Sequence, residues 1–325
     1  MGASREHDLI ARYFAPLAGP EGLGLLDDAA LLAPKPGHDW VITADALVAG
    51  VHFFENDPAE VIAAKALRVN LSDLAAKGAR PRAFTLALML PKGLQASWFE
   101  AFAKGLGADM ARFGIALIGG DTVATPGPLA LTITAFGEVQ QGRMVKRSGA
   151  VSGDAIYVTG TIGDAALGLV SLKSPERLAL PAQLRRHLEA RYHRPEPRLA
   201  LGAALRDHAH AAMDVSDGLV GDLARLLATS GRGAIIEAAA VPFSPAVHAA
   251  LAMEPTFEET ALIGGDDYEI IACVPPGACV GFEHDCARAG VKVTRIGVVQ
   301  AHRRVTWRAA DGAVLSFANP AYSHL

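Results

Sequence analysis

Residues 115–136 read IALIGGDTVATPGPLALTITAF, and two patterns meet there. Ile115-Ala116-Leu117-Ile118 is a short apolar run that enters the cluster Gly119-Gly120-Asp121, whereas Leu131, Ile133 and Ala135 alternate with Thr132 and Thr134. The first predicts a buried strand closed by a turn, and the second a half-buried strand whose side chains alternate between faces. Outward from this stretch the theme repeats. Trp40-Val41-Ile42-Thr43 runs into Asp45, Met213 into Asp214-Val215-Ser216-Asp217, and Ile263 into Gly264-Gly265-Asp266-Asp267. Ala/Leu-rich helical stretches lie between, so the expected fold class is mixed α/β, of the α+β kind, with carboxylates at strand ends.

Asp57-Pro58 predicts a helix start and Gly78 a helix stop, with Val61, Ile62, Leu67, Val69, Leu71 and Leu74 between them. Those apolar residues cover almost every face, so the helix should be buried, and Asp73 within it is either a costly core carboxylate or a ligand. After Arg147-Ser148-Gly149 come a fresh strand at Ile156-Tyr157-Val158-Thr159, a Gly160/Gly163 turn and a helix from about Asp164. A chain of 325 residues suggests two domains, and this restart divides it into 1–148 and 149–325. The charged segment from Lys173 to Arg198 should wrap the surface.

Hydrophobic residues make up 51% of the chain and charged residues 20%, which excludes a disordered polyelectrolyte. A net charge of -4 has the wrong sign for a general binder of nucleic acid or anionic membrane. The longest apolar run, from Ala83 to Leu90, is far shorter than the roughly 20 residues of a membrane helix. Cys273, Cys279 and Cys286 form no C-x-x-C pair and read as buried, inert thiols of a reducing compartment. No targeting segment is visible, so a cytoplasmic location is expected.

Neither a P-loop nor a G-x-G-x-x-G fingerprint occurs, so a nucleotide would have to bind by other means. Aspartates recur instead: Asp27-Asp28, Asp45, Asp73, Asp121, Asp214, Asp217 and Asp266-Asp267. Any one of them reads as a turn or cap residue. If several converged, their mutual repulsion would demand cations, and oxygen donors without neighbouring His or Cys select a hard ion such as Mg²⁺. Mg²⁺ held by a few carboxylates completes its shell with water and phosphate, which points to ATP. Ser216 before Asp217-Gly218 reads as a helix N-cap, Gly119-Gly120 as a tight turn or a close approach to a ligand, and Arg143, Lys146 and Arg147 as a basic stretch.

Taken together, Asp27-Asp28, Thr43-Ala44-Asp45, Asn70-Leu71-Ser72-Asp73, Gly119-Gly120-Asp121, Arg147-Ser148-Gly149, Asp214-Val215-Ser216-Asp217-Gly218 and Gly264-Gly265-Asp266-Asp267-Tyr268-Glu269 resemble the thiamine-monophosphate kinases. These belong to the ATP-binding superfamily of aminoimidazole ribonucleotide synthetase. The resemblance spans nearly the whole chain. It implies a two-domain fold whose N-terminal sheet-plus-helices domain forms a dimer barrel, followed by a C-terminal α/β domain. It implies transfer of the γ-phosphoryl of ATP to thiamine monophosphate without a protein nucleophile. By the same resemblance Asp28, Thr43, Ala44 (through its carbonyl), Asp45, Asp73, Asp121, Asp214 and Asp217 would hold several Mg²⁺ ions. Gly120, Asp121, Arg147 and Ser216 would contact ATP, and His52, Asp266 and Tyr322 the thiamine phosphate.

Three positions depart from the family pattern: Leu26 stands for a glycine, Ala44 for a threonine, and Asp266 for a glutamate, one methylene shorter. A homodimer is expected. The alternatives are another ATP-dependent synthetase of the same superfamily and a non-catalytic, metal-stabilised binding module. The synthetase relatives with a terminal reactive cysteine have no counterpart here, because the three cysteines occupy neither terminus.

Overall fold

The computed structural model describes residues 5–317. The chain divides into two compact units. One comprises residues up to Leu74 and Ala79–Gly142; the other comprises Ala75–Gly78 and the chain from Arg143.

The first unit opens with α1 (Arg5–Leu9) and contains α2 (Ala59–Ala76) but for its last two residues, α3 (Ala96–Phe113) and the strands β1 (His38–Val48), β2 (Arg80–Pro91), β3 (Ala116–Thr125) and β4 (Ala130–Gln140). The strands form one sheet in the order β1-β4-β2-β3, so β1 and β3 are its edges. On β4, Leu131, Ile133 and Ala135 are buried and the threonines between them half-buried, as their alternation predicts. The helix of residues 59–76 is buried nearly all round. It also buries Lys65, Arg68, Asn70 and Ser72, and the polar groups are satisfied: the Lys65 ammonium donates to the His52 carbonyl at 2.8 Å, and Arg68 grips Asp109 of α3 at 2.6 and 2.8 Å. A buried ion pair is tolerable when both charges are matched in this way.

Two expectations change here. Asp45 and Asp121 do not end strands; β1 and β3 run on through both. Each lies on an edge strand, where a carboxylate can remain in water without breaking the ladder. Gly119-Gly120 is likewise strand, not turn. A Cβ on Gly120 would lie 1.9 Å from the Leu86 carbonyl oxygen of the parallel neighbour β2, so the close approach is backbone to backbone. Gly120→Ala should therefore cost about 1–3 kcal/mol by overpacking. Urea unfolding measures it, and a variant within about 0.5 kcal/mol of the parent, the range of an ordinary surface change, would show that β2 and β3 part freely.

The second unit contains β5 (Ala155–Thr159), α4 (Asp164–Lys173), α5 (Ala182–His193), α6 (Gly202–His208), β6 (Ala211–Asp214), α7 (Leu219–Thr229), β7 (Gly233–Glu237), α8 (Pro245–Met253), α9 (Phe257–Ile263), β8 (Ile270–Val274), α10 (Cys279–Arg288), β9 (Val293–Gln300), β10 (Val305–Arg308) and β11 (Val314–Leu315). Its sheet runs β11-β10-β7-β9-β5-β8-β6. The three strands β5, β8 and β6 are wholly buried, which explains apolar runs broken only by the terminal Thr159 and Asp214. Cys273 and Cys286 are buried and Cys279 half-buried, all as free thiols.

A helical cluster is built on Leu167, Leu188, Val247 and Phe257. At its edge the buried Asp164 accepts from Ser244 and Thr161, each at 2.5 Å, and faces His187 Nε2 at 3.4 Å. The carboxylate raises the His187 pKa above its ordinary 6.5, against burial and the nearby Arg191. Because the folded pKa is the higher one, this stabilisation is complete below pH 6.5 and is lost as pH rises through the folded value. The stability difference between parent and His187→Gln should thus be larger at about pH 5.5 than at about pH 9. Equal differences in denaturant unfolding at the two values would refute the coupling.

Candidate active site

In the first unit the donors fall into two groups. Thr43 and Asp45 share a face of β1, and the Thr43 hydroxyl donates to Asp73 of α2. One turn earlier Asn70 accepts the Asp45 N–H through Oδ1 at 3.1 Å and donates through Nδ2 to the Ala66 carbonyl at 3.0 Å, which fixes the strand over the helix. Asp73 is only half-buried, so it is a cheaper carboxylate than its greasy helix implied. Ala44 points to the other face and is exposed.

The second group surrounds a cavity of about 340 Å³ lined by Asp28, Gly120 and Asp121 with Phe14, Leu25 and Ile118. Asp121 is exposed and accepts the Thr122 N–H at 2.8 Å. Between the edges β1 and β3 lie three inter-strand spacings of about 4.8 Å, or about 14 Å, so within this unit the two groups cannot share one ion. Leu26 has φ −106°, which any residue adopts, and the left-handed conformations fall on Leu23 and Leu25 instead. The departure from glycine at position 26 is therefore without strain. His52 accepts the Val48 N–H through Nδ1 at 3.0 Å, which leaves the neutral ring's proton on Nε2.

In the second unit, Asp214 ends β6 and is buried. The chain beyond it pairs with residues 266–269: Val215 N–H donates to the Glu269 carbonyl, Tyr268 N–H to Val215 and Asp266 N–H to Ser216, each at 2.8 Å. A Cβ on Gly265 would stand 2.4 Å from the Ser216 carbonyl oxygen, so only glycine permits this approach. Asp266 and Tyr268 hold left-handed φ values of 72° and 51°. The N-cap of α7 is Gly218 instead of the Ser216 that the sequence suggested, and the carboxylate of Asp222 takes the Ser216 and Asp217 N–H groups.

Three acidic side chains that sequence reasoning missed or grouped wrongly support this segment. Asp222 is fully buried, and burial pushes its carboxyl up to about 6. Asp267, paired with Asp266 in the sequence reading, instead caps α4 by accepting the Gly163 and Ala165 N–H groups at 2.7 and 3.2 Å; complete burial holds its pKa well above the usual range. Glu269 is fully buried between Arg198, Arg191 at 2.9 Å and the Thr159 hydroxyl at 2.6 Å. Of the basic stretch, Arg143 is paired with Asp207 at 2.6 Å, while Arg147 is exposed. Tyr322 lies outside the described residues.

Among the described residues no three His, Cys, Asp or Glu side chains gather closely enough to enclose a metal ion. The donor chemistry nevertheless fits Mg²⁺, which ordinarily binds one or two carboxylates and fills its shell with water and substrate phosphates. Thr43, Asp45 and Asp73 are all oxygen donors, as are Asp28 and Asp121. No helix among the described residues is long and apolar enough to cross a membrane.

Comparison with known proteins gives a consistent result. Residues 26–139 match AIR synthase related protein, N-terminal domain, and residues 151–309 match its C-terminal domain. The thiamine-monophosphate kinase of Caulobacter vibrioides is 46% identical, over 90% of this chain and 83% of its own. The crystal structure of thiamine-monophosphate kinase from Stenotrophomonas maltophilia K279a superposes with a TM-score of 0.81 at 41% identity, covering 90% of this chain and 91% of that one. AaThiL complexed with AMPPCP and TMP superposes with a TM-score of 0.78 at 28% identity, covering 91% of each chain.

Proposed function

The chain belongs to the thiamine-monophosphate kinase family, and from that premise we propose that it transfers the γ-phosphoryl of ATP to thiamine monophosphate, releasing ADP and thiamine diphosphate. The observation that carries this reading is the 46% identity to a kinase of that name over nine-tenths of the chain. The binding of an ATP analogue and TMP by a structural neighbour supports both substrates.

We assign Asp28, Thr43, the Ala44 carbonyl, Asp45, Asp73 and Asp121 of the first unit, and Asp214 and Asp217 of the second, to Mg²⁺. Bound Mg²⁺ would neutralise the phosphate oxygens between which the phosphoryl group passes. The chain's own part is positioning. Gly120 and Ser216 offer backbone and hydroxyl to ATP, and Arg147, exposed and cationic, is suited to phosphate oxygens. His52, Asp266 and Tyr322 are assigned to the acceptor, with the Nε2–H of His52 as a donor to an anionic group. No base is needed, because a phosphate is already ionised at neutral pH.

Comparing acceptors tests this reading. Thiamine monophosphate should support ADP formation from Mg-ATP, whereas thiamine, a neutral alcohol with no base to deprotonate it, should be at least about a hundredfold slower. Equal rates would remove the acceptor assignment.

We further propose a homodimer through the first unit. Its sheet has two edges, and Ile42 on β1 and Val123 on β3 are 59% and 44% exposed. Exposed apolar side chains of this kind suit burial against a second copy. Light scattering at micromolar concentration should give twice the chain mass; a fully active monomer would exclude the interface from the mechanism.

A further inference from the structure

Asp222 lies in the first turn of α7 but serves the chain before the helix. Its Oδ2 accepts the N–H groups of both Ser216 and Asp217 at 2.9 Å. Its Oδ1 accepts from Arg225 Nη1 at 3.0 Å, and the same nitrogen donates to Oδ2 of Asp217. A residue that merely capped the helix would satisfy N–H groups inside its first turn. Here both bonds go to residues on the far side of Gly218. The side chain is fully buried, where an unmatched carboxylate would be costly, so each of its bonds is needed. Arg225, by contrast, is 47% exposed and spans two carboxylates that would otherwise repel each other.

We propose that Asp222 and Arg225 are positioning residues for the nucleotide end of the reaction. Asp222 fixes the backbone of Ser216 and Asp217. Arg225 holds Oδ2 of Asp217 and thereby leaves Oδ1 as the oxygen that turns to a phosphate-bound cation. This rests on the assignment of Ser216 to ATP and of Asp217 to Mg²⁺.

Steady-state kinetics of the full chain, with melting temperatures, test the proposal in Asp222→Asn, Arg225→Gln, Arg225→Lys and Asp217→Asn. Misplacement of a binding group costs up to about a hundredfold, so Arg225→Gln and Asp222→Asn should raise KM for Mg-ATP about ten- to hundredfold. KM for thiamine monophosphate should stay within about twofold of the parent, and Arg225→Lys should recover part of the loss. A purely structural role would instead lower the melting temperature and weaken both substrates alike, which would overturn the proposal. Unchanged KM for ATP in Arg225→Gln, alongside an impaired Asp217→Asn, would also overturn it. If Asp222→Asn fails to fold, Arg225→Gln alone decides. Parental kinetics in Asp217→Asn would show instead that the underlying site assignment is wrong, and the positioning role would fall with it.

Discussion

Asp121→Asn and Asp73→Asn should each reduce turnover by about a thousandfold while leaving the fold intact, the scale seen when a preorganised electrostatic contact to the reacting group is removed. Both changes are nearly isosteric. An asparagine at position 121 still accepts the Thr122 N–H, and one at position 73 still accepts the Thr43 hydroxyl. What is lost is charge, and with it the grip on a hard cation. Asp121 shares its cavity with Asp28, and Asp73 meets Thr43 beside Asp45, so removing one carboxylate relieves repulsion within its own group and the melting temperature without metal should be unchanged or higher. Activity titrated against Mg²⁺ checks the result, and a near-parental rate at limiting Mg²⁺ would contradict the assignment of these residues to metal.

Glu269→Gln should destabilise the chain by about 3–5 kcal/mol, the cost of leaving a buried charge without its partner. Arg191 and Arg198 are 13% and 21% exposed, and Glu269 is the carboxylate that both touch. Glutamine keeps an acceptor oxygen for Thr159 but offers no negative charge to either guanidinium. For a unit of this size the melting temperature should fall by about 6–20 °C. The exposed pair of Arg308 and Glu237, at 3.7 Å, is the control: Glu237→Gln should cost no more than about 1 kcal/mol. A Glu269→Gln variant as stable as that control would show that the arginines reach water instead.

Much of this architecture is legible in sequence where the cause is local. The alternation of Leu131, Ile133 and Ala135 with threonines gives β4 directly, and Gly78, at φ 67°, follows the end of α2 as its helix-stop reading required. The mid-strand placement of Asp45 and Asp121 was not legible, because being an edge strand depends on the order in which distant segments pair. Glu269 is partnered by arginines 71 and 78 positions away, which no local window contains. A signal did exist: the glutamate stands directly before the wholly apolar Ile270-Ile271-Ala272-Cys273-Val274. Asp222 is the same case, a carboxylate among Leu219, Val220, Leu223 and Leu226, and the reasoning that singled out Asp73 on its apolar helix applies to it unchanged. The ligand set of the site came from ordered motifs acting together, since each aspartate alone reads as a turn.

The reaction proposed for the chain is direct phosphoryl transfer between ATP and a phosphate acceptor. Incubating the full chain with ATP labelled at the γ-phosphate, Mg²⁺ and thiamine monophosphate, and then separating the products, tests it in one step. Direct transfer gives one ADP for each thiamine diphosphate, with the label on its terminal phosphate and none in inorganic phosphate beyond the background without acceptor. Label released as inorganic phosphate in step with ADP, with thiamine monophosphate unchanged, would contradict it.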